Sequence, residues 1–162
     1  MIYTSFIDDY SIWEARVGSL GGYLLDTNII IYYFESLPQV VRFMKETFQQ
    51  PRNELFLSVI TEAELLSHPS VRTDELLKEM ICGFIESSHD VIEVSRRIAI
   101  LSGDIRSHFH HKYNRKIKLP DVLIAATAIT LGATLISNND KDFLDISSEF
   151  GLEYLNPVRP QE

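Results

Sequence analysis

Short apolar runs alternate along the chain with stretches in which apolar side chains recur every three or four positions. The first run, Tyr23-Leu24-Leu25, reads as a buried strand and stops at one acid, Asp26; the pattern from Asn28 to about Glu35 then predicts a helix. Pro38 opens a second helix to about Gln50, with Val40, Val41, Phe43, Met44 and Phe48 as its apolar members. Leu55–Val59 reads as a second strand, followed by a short helix from Ile60 that Pro69 ends. The stretch from Thr73 to Ser88 is amphipathic, with Thr73 placed as its N-cap. Val91–Val94 is the third strand, and Ser95 caps a helix reaching about His111. Leu119–Leu131 is a further helix, with Pro120 in its first turn and Gly132 just past its end. Ala133–Ser137 is the fourth strand, Lys141–Gly151 a last short helix and Leu152–Leu155 an edge strand. Gly18 to Gly22 form a joint between a leader carrying Trp13 and the rest of the chain.

Strands alternating with helices imply a parallel sheet covered on both faces. The expected fold is a three-layer α/β/α domain with a central sheet of four to five strands. Right-handed crossovers bring every strand-to-helix turn to one sheet edge, where open α/β sheets bind their ligands. Four acids fall at that edge: Asp26 after strand one, Glu64 in the helix after strand two, Asp121 in the first turn of the Leu119 helix, and Asp142 after strand four. Taken singly, each has an ordinary explanation as a helix cap, a dipole partner or a solvated turn residue. Capping does not require that all four share an edge. Crowded carboxylates raise one another's pKa values and oppose folding unless cations intervene. All-oxygen ligands of this kind suit Mg²⁺ or Mn²⁺.

Charge qualifies this picture. The 162 residues carry a net charge of −8, which excludes a general nucleic-acid coat protein. The stretch from Arg106 to Lys118 nonetheless holds five Lys or Arg, three His and no acid. It suits either a solvated helix end or a local grip on a polyanion. Cys82 is the single cysteine, so no internal disulfide forms and a reducing cytoplasm is the natural setting. No apolar run approaches the roughly 18 residues of a membrane span, and Asp8 and Asp9 fall where a secretory signal would be basic and then apolar.

Four blocks, "LLDTN", "SVITEAEL", "LPDVLIAATA" and "LISNNDKDF", stand in an order and spacing that resembles the PIN domain, in particular the VapC-like ribonuclease toxins of toxin–antitoxin pairs. The likeness covers about Tyr23 to Leu155, which divides the chain into a leader (1–22), a PIN domain (23–155) and a C-terminal tail (156–162). The resemblance implies a Mg²⁺- or Mn²⁺-dependent endoribonuclease, inhibited by a cognate antitoxin and assembled as a homodimer. It matches Asp26, Glu64, Asp121 and Asp142 to the family's acids, with Asp140 as a competitor for the fourth place. Thr27, Asn28, Ser137 and Asn139 match positions that orient the ligands or water. Water activated by metal makes a catalytic histidine unnecessary, so His108, His110 and His111 are read as solvated or phosphate-contacting. Arg106, Lys112, Arg115 and Lys116 are the expected contacts to the RNA backbone. A non-catalytic PIN scaffold, or an RNA-processing nuclease outside any toxin pair, remains an alternative.

Overall fold

The computed structural model describes residues 22–159. Among them the order is β1 (Gly22–Leu25), α1 (Thr27–Phe34), α2 (Pro38–Phe48), β2 (Glu54–Ser58), α3 (Val59–Leu66), a 3₁₀ turn (Pro69–Arg72), α4 (Glu75–Glu86), β3 (Asp90–Ile92), α5 (Arg96–Tyr113), α6 (Leu119–Leu131), β4 (Thr134–Ile136), α7 (Asp140–Phe150) and β5 (Tyr154–Leu155). The five strands form one parallel sheet in the order β3-β2-β1-β4-β5. The leader proposed for residues 1–22 lies outside the described residues except for Gly22.

Alternation along the strands builds two cores. Leu24, Phe56 and Leu135 lie on one face with Ile105, Phe109, Val122, Ala125, Phe143 and Ile146 from α5, α6 and α7. Leu25, Leu57 and Ile136 point to the other face, where Ile29, Ile30, Val40, Met44, Leu65, Ile81 and Ile85 from α1 to α4 cover them. Burying residues of both parities explains why the strands read as unbroken apolar runs. The chain leaves β1 toward the second core and leaves β4 toward the first, although these strands are neighbours. Their helices therefore diverge to opposite faces at the carboxyl edge, the place where open α/β sheets bind ligands.

Several boundaries differ from the sequence reading. Val59 belongs to α3, because Ser58, the last residue of β2, also caps the helix and its Oγ accepts from the Ile60 N–H at 3.2 Å. Pro69 does not simply end a helix but opens the 3₁₀ turn, where its missing N–H is no loss. Asp74, not Thr73, caps α4, accepting from the Leu77 N–H at 3.0 Å; an ionised oxygen is the stronger acceptor at a helix N-terminus. Gly132, at φ 65°, ends α6 in the left-handed conformation and turns the chain directly into β4. Residues 156–159, assigned to a tail, pack back on the domain through Asn156 and Arg159.

Candidate active site

Asp26 is the first residue beyond β1 and caps α1, and these two demands fix its side chain. Its backbone N–H still bonds to the Ile136 carbonyl of β4 at 3.0 Å. One carboxylate oxygen, Oδ1, accepts from the Thr27 N–H at 2.8 Å. The other, Oδ2, accepts from Asn28 Nδ2 and from the Ser137 hydroxyl, both at 2.6 Å. Asp26 is only 4% exposed. Burial pushes its pKa up to about 6; the Ser137 and Thr27 hydrogen bonds oppose the rise, and the charges of Asp121 and Glu64 add to it.

The loop after β4 is built around this carboxylate. Ser137 Oγ accepts from the Asn139 N–H and from Asn28 Nδ2, each at 3.1 Å. Asn28 Oδ1 accepts from the Asn138 N–H at 3.2 Å, and Asn138 Nδ2 donates to the Tyr32 hydroxyl at 2.8 Å. Two loops from adjacent strands are thus pinned by side chains that can donate and accept at once. Asn138, Tyr32 and Tyr154 take part without having been singled out in the sequence; the run of amides at 138–139 was the available signal.

The other three acids approach from separate elements. Glu64, on α3, accepts a short hydrogen bond from the Thr27 hydroxyl. Asp121 lies in the first turn of α6, where burial raises its pKa, the Asp142 charge raises it further, Lys118 lowers it and Glu64 adds a smaller upward push. Asp142 sits in the first turn of α7, and its Oδ2 accepts from Asn139 Nδ2 at 3.2 Å. Electrostatic coupling therefore links Asp26 to Glu64 and Asp121, and Asp121 to Asp142. Among the described residues no three His, Cys, Asp or Glu side chains form a group that could hold one ion. The donor chemistry nevertheless fits a hard divalent cation: carboxylate and amide oxygens, with no sulfur or imidazole among them. A carboxylate lifted by burial, with acidic neighbours adding to the rise, is a group a cation would relieve.

Asp140 stands elsewhere. Its Oδ1 accepts from the Tyr154 hydroxyl at 2.7 Å and Asn156 Nδ2 at 3.0 Å, and its Oδ2 accepts from Arg159 Nε at 2.8 Å. Arg159 above all holds its pKa down to about 2. Both oxygens of Asp140 are thus engaged by Tyr154, Asn156 and Arg159, whereas Asp142 is coupled to Asp121.

The basic stretch is largely occupied within the fold. Arg106 Nε donates to the Ile117 carbonyl at 2.9 Å. Lys112 Nζ donates to both oxygens of Glu149 at 2.9 and 2.8 Å, and His108 Nε2 lies 2.5 Å from the same carboxylate. Arg115 Nη1 donates to Asp145 Oδ2 at 2.6 Å and its Nη2 lies 3.7 Å from Asp142 Oδ1. Lys116, His110 and His111 are exposed.

The PIN domain family model matches residues 23–149 of this chain. Ribonuclease VapC1 of Haemophilus influenzae (strain R2866) is 33% identical over 135 residues, covering 77% of this chain and 92% of that protein. VapBC-1 from nontypeable Haemophilus influenzae superposes with a TM-score of 0.70 at 29% identity, covering 85% of this chain and 99% of the matched one. VapBC2 from Rickettsia felis, bound to a DNA fragment from its promoter, gives a TM-score of 0.70 at 27% identity over 83% of this chain and 98% of the matched one.

Proposed function

This chain belongs to the PIN domain family, and on that premise we propose that it is an endoribonuclease, the toxin of a toxin–antitoxin pair, acting with Mg²⁺ or Mn²⁺. The observation that carries this reading is Asp26: a buried carboxylate at the carboxyl end of a central strand, oriented by three donors and raised to about pKa 6 beside Glu64 and Asp121. A protein that needed only a helix cap would have no use for a second and third acid pressing on the first.

Asp26, Asp121 and Asp142 would hold the cation, with Glu64 binding it or orienting water. A bound divalent ion supplies Lewis acidity toward the phosphate and acidifies water at neutral pH. The chain's own part is positioning. Thr27, Asn28 and Ser137 hold the Asp26 carboxylate with three donors and leave one acceptor site, on Oδ1, for a ligand. The Thr27 hydroxyl fixes one oxygen of Glu64, and Asn139 fixes one oxygen of Asp142. Lys116, exposed and close in sequence to Lys118 and Asp121, is the first candidate to meet the RNA backbone, while Arg106, Lys112 and Arg115 would have to leave internal partners to do so. Such contacts add affinity without reading sequence.

The likeness to VapBC complexes supports an antitoxin partner; a homodimer and a cytoplasmic setting complete the proposal. Among the described residues no helix is long and apolar enough to cross a membrane. The test is incubation of the purified chain with single-stranded RNA and Mg²⁺ or Mn²⁺. Cleavage should disappear with EDTA and in Asp26→Asn and Asp121→Asn. Cleavage that persists in both variants, with their fold intact, refutes the site. Binding of RNA without cleavage by the wild type would point to a scaffold instead.

A further inference from the structure

Arg115 is the cation nearest the fourth acid, and its setting is unusual. The chain leaves α5 through Asn114 in the left-handed conformation, φ 51°, and the Arg115 N–H returns to the Phe109 carbonyl at 3.2 Å. The guanidinium lies over the Phe109 ring, 5.0 Å from its centre. Nη1 is clamped by Asp145 at 2.6 Å. Nε and Nη2 are buried and have no hydrogen-bond partner. A buried N–H without an acceptor is costly, so this half of the fork is kept for an acceptor it does not reach at rest. Nη2 lies 3.7 Å from Asp142 Oδ1, just beyond hydrogen-bond range. Asp142 and Asp145 stand one turn apart on α7 and flank the same guanidinium.

We propose that Arg115 is a positioning residue that competes with the divalent cation for Asp142, and that Asp145 sets the balance by holding Arg115 one step short of a full hydrogen bond. This rests on the cation-binding reading above. A small turn of Asp142 toward Arg115 would satisfy the idle N–H and withdraw a ligand from the cation. A turn the other way delivers the ligand and leaves Arg115 with Asp145 alone. The pair therefore tunes how readily the site fills.

The test is calorimetric titration of Mn²⁺ into the folded, EDTA-treated full chain, with circular dichroism to verify the fold. Arg115→Gln removes the competitor and should tighten Mn²⁺ binding by about three- to tenfold. Asp145→Asn releases the clamp, lets Arg115 close on Asp142, and should weaken binding by about threefold or more. Opposite signs from two neighbouring substitutions would not arise from structural damage, which weakens binding in both. Weaker or unchanged binding in Arg115→Gln, or unchanged or tighter binding in Asp145→Asn, overturns the inference while leaving the cation site standing. No Mn²⁺ binding by the wild type overturns that site and the inference together.

Discussion

Asp26 and Asp140 both follow a central strand and both lie within the first turn or cap of the next helix, yet their surroundings act in opposite directions. Asp26 is enclosed, receives only neutral donors, and faces other acids, which together with burial lift it to about 6. Asp140 is half-exposed and meets Arg159, Asn156 and Tyr154, which hold it at about 2. Glu149 repeats the second pattern: Lys112 and Tyr113, with His108, hold it down to about 2. One set of acids is stabilised by the fold, and the other is tolerated by it. The difference separates acids that the fold's own donors and cations hold ionised from one that burial pushes toward its neutral form, a distinction that helix position alone would not make.

The strongest way to break this comparison is to exchange the outcomes by mutation. Asp26→Asn should reduce RNA cleavage by at least about a thousandfold, or ~4 kcal/mol of barrier, in a discontinuous gel assay, while Asp140→Asn should leave the turnover number within about threefold, well under ~1 kcal/mol. Equal losses would erase the division. The next effect is on stability against pH in EDTA. The folded-state pKa of Asp26 is raised, so the folded form binds the extra proton and stability is fully present below about pH 4 and lost as pH rises through about 6. The loss amounts to about 3 kcal/mol. Asp140 is lowered, so its contribution is present above about pH 4 and lost as pH falls toward 2. Thermal melts should thus be highest near pH 4 without metal, Asp26→Asn should flatten the upper limb only, and Mn²⁺ should restore stability at neutral pH.

A smaller effect sharpens the first set. Ser137→Ala removes a 2.6 Å donor from Asp26 without removing an acid. Cation affinity measured by calorimetry should fall about tenfold, the lower end for losing a ligand's supporting partner. The smallest belongs to the second set: Arg159→Ala should lower the midpoint of thermal unfolding by about 2–4 °C, a small effect because solvent screens a half-exposed pair. Mn²⁺ affinity measured alongside should stay within about twofold.

Much of this was legible in the residues. Continuous apolar runs of both parities announced a doubly covered parallel sheet, and Asp26 and Ser137 could be placed because each ends such a run. What escaped depended on partners distant in sequence. The different surroundings of Asp140 and Asp142 come from Arg159 and Tyr154, which no local pattern ties to α7. The basic stretch read as a free surface because its acids, Asp145 and Glu149, arrive from a helix packed alongside. Thr73 and Asp74 are both good caps in isolation, and only the start of α4 at Glu75 distinguishes them. The sequence placed four acids at one edge; in the structure Asp26 interacts with Glu64 and Asp121, and Asp121 with Asp142, while among the described residues no three such side chains form one ion-sized group.

The Tyr154 hydroxyl lies 3.0 Å from the Ser137 carbonyl and 2.7 Å from Asp140. Through it, the far end of the chain is wired to the innermost carboxylate: Arg159 to Asp140, Asp140 to Tyr154, Tyr154 to Ser137, Ser137 to Asp26. A cut that removed Arg159 would therefore loosen this edge of the fold, while Asp26 keeps its own donors from Thr27, Asn28 and Ser137.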